Sequence, residues 1–328
     1  MKKIKISVIG FAEIAENRIL PAIMEHPLFE LVSIGRQNYS RRQSSNTYEK
    51  YFVNDYSNVL NNNLVDLVYI PLPNNLHYDW VKKSLNSGKH VIVEKPMGLN
   101  LEEVQDLTEL AKSKNLVLLE NFQFRFHKQI KKIKDLINND EIGDIRYANI
   151  TYCIPPFKNK DNFRYKKILG GGSFYDASCY PFKITQELFG DDFEVEHFKL
   201  LHVNEFDVDI AGYGTLFSKK HNLFCHVKFG FQNYYQNKIE IFGTNGYIKN
   251  FRIFTAHPDV NTQIYIGKNN FEEIIEIGCD NHFIGMLSYV HELVNSDSEK
   301  RKFEQLKNYN LSKIMEQALK LSKNENTI

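Results

Sequence analysis

The sequence of 328 residues contains little that would mark a disulfide-stapled, metal-binding or nucleic-acid-binding protein. It has only four cysteines, which lie far apart and form no CxxC pair, so neither a disulfide framework nor a zinc site is predicted. No HExxH histidine pair is present, and no metal is expected. The formal net charge of +1 supplies no basic field that would attract nucleic acid or an acidic membrane surface.

Long apolar runs are also absent. None approaches the roughly 18 residues that a membrane-spanning helix needs. The first residues, Met1-Lys2-Lys3 and the apolar stretch after them, resemble a signal peptide only faintly, because Glu13 and Glu16 interrupt the stretch and no small-residue cleavage site follows. The sequence therefore predicts a soluble, cytoplasmic protein with neither a membrane nor nucleic acid among its partners.

What the sequence does contain is the composition of an ordinary globular protein, with 42% hydrophobic and 25% charged residues. Its length suggests two domains. In the first third, short apolar runs alternate with amphipathic helical segments, the pattern of a doubly wound parallel sheet. The predicted strands are residues 4–9, 29–34, 66–70, 91–93 and 116–119, and the predicted helices are 14–25, 78–86 and 102–114.

The pattern changes near residue 122. After a helix at 127–138, the strands become longer and alternate between apolar and polar residues, which predicts a mostly antiparallel sheet with one covered face. These strands are 146–153, 194–203, 208–217, 222–231 and 238–242, and helices at 283–295 and 311–322 follow. We therefore predict an α/β domain over 1–122 and an α+β domain over 123–328, whose open sheet face favours a homodimer or homotetramer.

The tripeptide Glu94-Lys95-Pro96 follows the apolar run at 91–93 and is the most informative motif. A lysine at the end of a buried parallel strand lies over the crevice in which α/β sheets bind their ligands. Proline ends the strand's hydrogen bonding and fixes the backbone. A rigidly presented ammonium suits the polarisation of a substrate oxygen during hydride or proton transfer. The alternative is a surface lysine at an ordinary strand exit.

The strand at 4–9 runs into Gly10-Phe11-Ala12-Glu13-Ile14-Ala15, where a dinucleotide fingerprint would lie. The GxGxxG/A pattern is met only at its first and last positions, because Ala12 replaces the glycine that lets the backbone approach the pyrophosphate. The following helix N-terminus would still favour a phosphate group. By itself the signal is weak.

The end of the second predicted strand bears on the choice between NAD and NADP. A carboxylate there would bind the ribose 2′-hydroxyl and repel a 2′-phosphate, but the chain has Arg36 and then Ser40-Arg41-Arg42. Arg36 can pair with a 2′-phosphate through forked, charge-assisted hydrogen bonds, and the alternative is a solvated loop arginine. We predict NADP(H) as the favoured cofactor, with NAD(H) as the alternative.

Two further segments carry candidate site residues. Pro71-Leu72-Pro73-Asn74-Asn75-Leu76-His77 follows the third strand; its two prolines would hold a stiff loop beside nicotinamide and ribose, with His77 as a hydrogen-bonding residue at a helix start.

Gly170-Gly171-Gly172 precedes a helix on which Asp176 and Tyr180 share one face, with Lys183 nearly on it. A nearby cation would suit Tyr180 to acid–base chemistry by lowering its pKa; the alternative is a buried tyrosine with a satisfied hydroxyl.

Together these segments resemble the Gfo/Idh/MocA family of NAD(P)-dependent sugar oxidoreductases. The matching elements, in chain order, are Gly10-x-Ala12-x-Ile14-Ala15, Pro71-Leu72-Pro73-Asn74-x-x-His77, Glu94-Lys95-Pro96, Glu120-x-Phe122-x-x-Arg125-Phe126-His127, Gly170-Gly171-Gly172 with Asp176 and Tyr180, and Gly243-Thr244-Asn245-Gly246. Their order makes the resemblance far more specific than any single motif. It implies a dinucleotide-binding Rossmann domain over residues 1–122 and a substrate-binding and oligomerisation domain over 123–328.

In that family the lysine of the EKP motif and a histidine or tyrosine on the second-domain helix flank the reacting carbon. The resemblance therefore implies that Lys95 and Tyr180 are catalytic and bind substrate, with Asp176 beside them in the same roles. It also implies that Phe122 and Arg164 bind substrate. The implied cofactor contacts are Gly10, Phe11, Ala12, Glu13, Ile14, Arg36, Leu72, Pro73, Asn75, His77, Glu94, Lys95 and Asn121.

The helix that carries Tyr180 also indicates which members of the family the chain resembles. Inositol-type members have a G-x-H-x-x-D pattern where this chain has Ser178, Tyr180 and Lys183, and the tyrosine is instead similar to nucleotide-sugar 3-ketoreductase and dihydrodiol dehydrogenase members. The resemblance implies hydride transfer between nicotinamide and a sugar carbonyl or hydroxyl, with reduction of a nucleotide-linked keto-sugar favoured. Candidates to bind its diphosphate are Lys158, Lys160, Arg164 and Lys183. The alternatives are a dehydrogenase of a free sugar, cyclitol or diol and, in another class, a non-catalytic dinucleotide-binding sensor.

Overall fold

The structure is a computed structural model that describes residues 2–37 and 47–324, so Ser40, Arg41 and Arg42 lie outside the described residues. Within these ranges the chain divides into two compact units. The first contains the chain as far as Asn121 together with Phe283–Tyr309, and the second contains Phe122–His282 and the chain from Asn310 onwards. The structure thus adds to the first unit a returning segment that a single boundary near residue 122 leaves out.

The first unit is built on a six-stranded, wholly parallel sheet, which confirms the predicted doubly wound α/β fold. Its strands are β1 (Ile4–Ile9), β2 (Phe29–Arg36), β3 (Phe52–Asn54), β4 (Leu67–Ile70), β5 (His90–Glu94) and β6 (Leu118–Asn121). They lie in the order β3-β2-β1-β4-β5-β6, so the strand order reverses between β1 and β4. A crevice opens at the carboxyl ends of strands where the order reverses, and ligands of such sheets bind there.

Four helices connect these strands: α1 (Leu20–Glu25), α2 (Tyr56–Leu60), α3 (His77–Asn86) and α4 (Leu101–Ser113). A π-helical turn, Ala15–Ile19, takes up the first half of the helix predicted at 14–25. Trp80, the single tryptophan of the chain, lies on α3 and packs edge-on against Tyr56 of α2, with ring centroids 5.0 Å apart. Every residue of β4 is buried, as expected for a strand with helices on both faces of its sheet.

The returning segment belongs to helices α7 (His282–Asn295) and α8 (Ser298–Asn324), and α8 begins well before the helix predicted at 311–322. On α8, Gln305 and Asn308 donate side-chain N–H groups to the carbonyl oxygens of Leu116 and Leu118, at 3.1 and 3.3 Å. Because β6 is an edge strand, these bonds cover backbone acceptors that an open edge would offer to another chain.

The second unit contains an eight-stranded sheet in the order β14-β13-β12-β11-β7-β10-β9-β8. Its strands are β7 (Ile145–Cys153), β8 (Glu194–His202), β9 (Asp209–Ser218), β10 (Leu223–Gly230), β11 (Gln236–Gly243), β12 (Gly246–Asn250), β13 (Thr262–Lys268) and β14 (Phe271–Gly278). All neighbouring pairs are antiparallel except β7 and β10, which confirms the mostly antiparallel prediction. The sequence pattern does not predict β12, β13 and β14, and Gly243-Thr244-Asn245-Gly246 is the tight turn between β11 and β12.

Helices α5 (Lys128–Asn138) and α6 (Cys179–Phe189) pack on one face of this sheet. Two glycines of β9 lie directly opposite aromatic residues of the neighbouring strands: Gly214 faces Phe198 of β8, and Gly212 faces Phe229 of β10. A Cβ atom at either glycine would lie 2.4 Å from the facing ring. The rings therefore occupy the space that a side chain on β9 would need.

The described residues contain neither a membrane-spanning helix nor a metal-binding cluster. None of the helices in 2–37 and 47–324 combines the length and the apolar character that crossing a membrane requires. In the same ranges, no group of three or more histidine, cysteine or acidic side chains is arranged to hold a metal ion. All four cysteines are free; Cys153, Cys179 and Cys225 are buried, and Cys279 is exposed.

Replacing Gly214 by alanine should destabilise the second unit by about 1–3 kcal/mol, because the added methyl group collides with the Phe198 ring and displaces it from the core. Urea unfolding followed by circular dichroism should show a lower midpoint. Tyr213→Phe is the control, since this neighbouring side chain is half-exposed and surface changes of this kind have little effect. An unchanged midpoint in Gly214→Ala would contradict the close packing of β8 on β9.

Candidate active site

The first loop of the candidate cofactor site follows β1 directly. Gly10 has a φ of +109°, which side chains rarely adopt, and a Cβ atom there would lie 2.8 Å from Cδ2 of Leu72. The N–H of Gly10 donates to the carbonyl oxygen of Gly35 at 3.0 Å. Glycine is therefore required at the first position of the degenerate fingerprint, where Leu72 packs against it. The other predicted residues of this loop, Phe11, Ala12, Glu13 and Ile14, lead into the π-helical turn.

Arg36 ends β2 and stacks on two aromatic rings. Its guanidinium carbon lies 5.2 Å from the ring centroid of Phe11 and 4.8 Å from that of Phe52. The two rings meet edge-on, with centroids 5.0 Å apart. Contacts of this kind hold an arginine side chain in place through cation–π attraction. Phe11 and Arg36, which the sequence predicts separately, thus belong to one cluster with Phe52, a residue that sequence reasoning missed.

His77 joins two of the predicted loops. Its ring is fully buried, with Nδ1 2.7 Å from the carbonyl oxygen of Pro96 and Nε2 2.7 Å from that of Leu72. Burial, assisted by the positive charge of Lys95, holds the pKa of His77 below its ordinary value, although the two backbone carbonyls oppose the shift. A neutral ring has one N–H and donates to one carbonyl at a time. His77 therefore supports the loops predicted to contact the cofactor, and its own nitrogens face the backbone.

Glu94 ends β5, Lys95 follows it directly, and the peptide bond from Lys95 to Pro96 is cis. Oε1 of Glu94 accepts the hydroxyl of Tyr69 at 2.7 Å and a side-chain N–H of Asn121 at 2.6 Å. Burial raises the pKa of Glu94, and these hydrogen bonds and the charge of Lys95 oppose the shift. Three adjacent strands therefore fix one carboxyl group beside Lys95. Sequence reasoning missed Tyr69, because it reads as one more position of a buried strand.

Two predicted cofactor residues carry buried oxygen atoms that lack a hydrogen-bond partner among the described residues: Oδ1 of Asn75 and Oδ1 of Asn121. Buried polar atoms are nearly always hydrogen-bonded, so each exception needs an explanation such as a ligand or water. Asn75 follows β4, and Asn121 ends β6. Acceptors at this edge of the sheet fit the hydroxyl and amide donors of a dinucleotide.

In the second unit, contacts with Asp209 fix the backbone between the glycine triplet and the helical segment that follows it. Gly172 has a φ of +110°, and a Cβ atom there would lie 2.5 Å from Oδ1 of Asp209. Oδ2 of Asp209 accepts the hydroxyl of Ser173 at 2.6 Å and the backbone N–H of Phe174 at 2.7 Å. Burial raises the pKa of Asp209, and both hydrogen bonds oppose the shift. Asp209 thus caps the start of the segment that carries Asp176, a role that no sequence motif indicates.

Asp176 lies on a π-helical turn, Phe174–Ser178, that continues into α6 and Tyr180. Oδ2 of Asp176 accepts the Nε–H of Arg164 at 2.8 Å. The side chain of Tyr180 is buried among four aromatic rings at centroid distances from 4.5 to 6.0 Å, those of Phe122, Phe124, Tyr152 and Phe254. The structure therefore brings the predicted residues Phe122, Arg164, Asp176 and Tyr180 together and adds Tyr152. Phe122 is fully buried, so it holds the Tyr180 ring in place.

Lys183 does not offer its ammonium group to solvent. It is fully buried, donates to Oε1 of Gln186 at 2.7 Å and lies 3.8 Å from Oε1 of Glu187. Glu187 also pairs with Arg125 at 2.8 Å, so the buried charges compensate one another. Lys183 is therefore excluded as a diphosphate ligand. Among the other candidates, Lys158 is exposed, whereas Lys160 and Arg164 form ion pairs.

Both units match models of one protein family. Residues 4–122 match the Gfo/Idh/MocA model described as an oxidoreductase family with an NAD-binding Rossmann fold. Residues 130–249 match the model of the Gfo/Idh/MocA C-terminal domain.

The chain is also similar to individual proteins over most of its length. The dTDP-3,4-didehydro-2,6-dideoxy-alpha-D-glucose 3-reductase of Actinomadura kijaniata is 29% identical over 303 residues, which are 92% of this chain and 91% of that protein. The protein of the same name from Saccharopolyspora spinosa is 31% identical over 280 residues, 85% of this chain and 84% of that protein. The crystal structure of KijD10, a 3-ketoreductase from Actinomadura kijaniata in complex with NADP and TDP-benzene, has a TM-score of 0.86 at 28% identity, covering 95% of this chain and 96% of that chain. The motifs, the two sheets and these matches agree, and the chain belongs to the Gfo/Idh/MocA family of oxidoreductases.

Proposed function

We propose that the protein is an NADPH-dependent reductase of a nucleotide-linked keto-sugar, in which the first unit binds the dinucleotide and the second binds the sugar. The observation that carries the proposal is the similarity, across both units, to proteins named as dTDP-linked keto-sugar 3-reductases. Solved variants of KijD10 replace a lysine by alanine and a tyrosine by phenylalanine, the residue types of Lys95 and Tyr180. A free-sugar dehydrogenase has less support, since a D-xylose 1-dehydrogenase (NADP(+)) of Haloferax volcanii matches only 56% of the chain.

The cofactor residues fit a dinucleotide with a 2′-phosphate. Arg36 is held by Phe11 and Phe52, and no carboxylate lies between Ser33 and Gln37 to repel the phosphate. The orphaned oxygens of Asn75 and Asn121 are acceptors for ribose hydroxyl or carboxamide N–H groups. When bound, the reduced nicotinamide supplies the hydride.

The residues of the chain would handle the proton and the negative charge. Tyr180 donates its hydroxyl proton to the substrate carbonyl oxygen as the carbonyl carbon is reduced, and a proton from solvent later restores the phenol. Lys95 stabilises the negative charge that develops on the same oxygen. The hydrogen bonds of Tyr69 and Asn121 to Glu94 hold the strand end that presents this lysine.

The purified protein should oxidise NADPH in the presence of a dTDP-linked 3-keto or 4-keto sugar, measured by absorbance at the nicotinamide band. Lys95→Met and Tyr180→Phe should each lower kcat by about 10²–10⁴-fold, because each removes a group that acts on the carbonyl oxygen. Calorimetric titration should show that both variants still bind NADPH. Turnover of free sugars alone would favour the alternative function, and full activity in either variant would contradict the assigned roles.

Arg36→Ala should weaken the binding of NADPH by about 10- to 100-fold, since hydrogen bonds to charged groups contribute about 1.5–3 kcal/mol. The binding of NADH should change little, because NADH has no 2′-phosphate. Calorimetric titration of both cofactors measures the difference. Arg36→Lys keeps the charge but not the forked geometry, so its affinity for NADPH should lie between those of the wild type and Arg36→Ala. Equal losses for NADPH and NADH would exclude contact with the 2′-phosphate.

Exposed aromatic side chains on one face of the second sheet support self-association. Five aromatic side chains form a row across β9, β10, β7, β11 and β12: Phe217, Phe224, Tyr147, Phe242 and Tyr247. Ring centroids lie 4.6 Å apart for Phe217 and Phe224 and 4.9 Å apart for Tyr147 and Phe242. Tyr147 and Phe224 are 44% and 43% exposed. Exposed apolar patches of this kind mark interaction sites, and we propose that a second copy of the chain covers this row in a homodimer or homotetramer.

Placing two charges on this row should separate the copies. The double variant Tyr147→Asp/Phe224→Asp should have the mass of a monomer by light scattering, because the aspartates would be buried unpaired in the interface. Tyr234→Asp is the control, since Tyr234 is 87% exposed in a loop away from the row. A wild-type protein that is already monomeric would contradict the proposed interface.

The cysteines favour a reducing compartment, which supports a cytoplasmic location. All four are free, and cytosolic thiols remain reduced. Burial raises the pKa of Cys153 to about 11, which keeps this thiol protonated and unreactive.

A further inference from the structure

Arg164 lies on the loop between β7 and the glycine triplet, and two sets of contacts hold the backbone of this loop. Tyr165, the next residue, stacks flat on Phe206 with ring centroids 4.1 Å apart. On the other side, the carbonyl oxygen of Arg164 accepts the N–H of Gly172 at 2.8 Å. A Cβ atom at Gly171 would lie 2.6 Å from that same carbonyl oxygen, so only glycine permits the approach. The backbone of Arg164 is thus fixed to the residues that begin the helical segment carrying Asp176 and Tyr180.

The side chain of Arg164 is equally constrained. Its guanidinium carbon lies 4.5 Å from the ring centroid of Phe163 and 5.1 Å from that of Phe157. Its Nε–H donates to Oδ2 of Asp176 at 2.8 Å. Arginine remains charged in proteins, so the loop delivers a fixed positive charge to the helical segment that carries Asp176 and Tyr180.

The four rings packed around Tyr180 carry no net charge that would offset a phenolate. Within the second unit, the charged or titratable groups around Tyr180 include Arg164 from the loop and Asp176 from its own helical segment. Tyr152 of β7 packs against its ring, and Lys183, one turn further along α6, is paired with Gln186. In the proposed function Lys95 of the first unit acts on the same carbonyl oxygen, so its charge adds to that of Arg164. Burial disfavours the charged form of Arg164, yet attraction to Asp176, and then to Tyr180 and Tyr152, leaves its pKa above the ordinary value. A negative charge formed on Tyr180 in apolar surroundings is costly unless a cation offsets it.

We propose that Arg164 is a positioning residue of the reaction and not a ligand of the substrate diphosphate: it fixes Asp176 and offsets the negative charge that proton transfer leaves on Tyr180. The inference rests on the proposed function. In reduction, the phenolic O–H bond of Tyr180 breaks, its proton goes to the carbonyl oxygen, and the electron pair stays on Tyr180 as phenolate while NADPH is oxidised to NADP⁺. In the reverse direction the phenolate accepts the proton of the alcohol. Arg164 exchanges no atom in either direction.

The pH dependence of kcat/KM in the oxidative direction tests the proposal, with NADP⁺ and the dTDP-linked alcohol made by the wild-type enzyme. Tyr180 must be deprotonated in this direction, so the rate falls at acidic pH. Arg164→Gln removes the positive charge and should move this acidic limb upward by about one pH unit or more. Arg164→Lys should move it less, since the charge is kept.

Asp176→Asn gives an independent test of opposite sign. It leaves the charge of Arg164 uncompensated, which favours the phenolate, so the acidic limb should move to lower pH even though kcat also falls. A loss of structure would not move the limb in opposite directions for the two replacements. Lys167→Gln is the control, because Lys167 is exposed on the same loop, has no assigned role in binding or catalysis, and should leave the profile unchanged.

Each outcome decides the matter. If Arg164→Gln raises KM and leaves the acidic limb in place, Arg164 binds substrate and the proposal is wrong. If Arg164→Gln does not fold, Asp176→Asn decides, and a limb that stays or moves upward overturns the proposal. If the wild-type protein reduces no nucleotide-linked keto-sugar, the proposed function fails and this inference fails with it. An active wild type with unmoved limbs overturns only the role of Arg164.

Discussion

The carboxylate of Asp209 fixes the start of the helix on which the second unit's site depends. A buried carboxylate must be hydrogen-bonded, and here its partners are the hydroxyl of Ser173 and the N–H of Phe174. The approach is close because Gly172 has no Cβ atom. Asp176 and Tyr180 follow on the same helical segment. The contact of Asp209 in β9 with Ser173 and Phe174 therefore helps to set the orientation of both side chains.

In the first unit the corresponding constraint is the edge at which parallel strands end. The carboxyl ends of β4, β5 and β6 bring Tyr69, Glu94 and Asn121 together, although they are distant in sequence. His77 then ties the loop after β4 to the turn after β5 through one imidazole ring. The presentation of Lys95 therefore depends on three strands and two loops.

The fold class and most strands follow from the sequence because buried runs and glycine or proline boundaries are local signals. The parts that do not follow depend on distant partners. α8 illustrates the reason: its face toward β6 carries Gln305 and Asn308, which bond backbone carbonyls, so no apolar period marks this half of the helix. β3 escapes prediction because three residues carry no period.

The candidate site likewise contains residues that the sequence predicts and residues that it does not. Lys95, Asp176 and Tyr180 lie in recognisable motifs. Tyr152 and Asp209 are ordinary strand residues, and their importance arises only from the packing of distant segments. Lys183 shows the opposite error. Helical spacing identifies a shared face but not its burial, and the structure places its ammonium group beside Gln186 in the core.

The packing of Trp80 against Tyr56 gives the chain an optical asymmetry. Tyr56 also lies against the end of β2, where a Cβ atom on Gly35 would be 3.2 Å from its ring. The only indole is therefore one contact away from the strand end that carries Arg36, and the second unit has none. Tryptophan fluorescence consequently reports on the first unit: it responds to changes in packing near β2. Unfolding confined to the second unit would leave the emission spectrum unchanged.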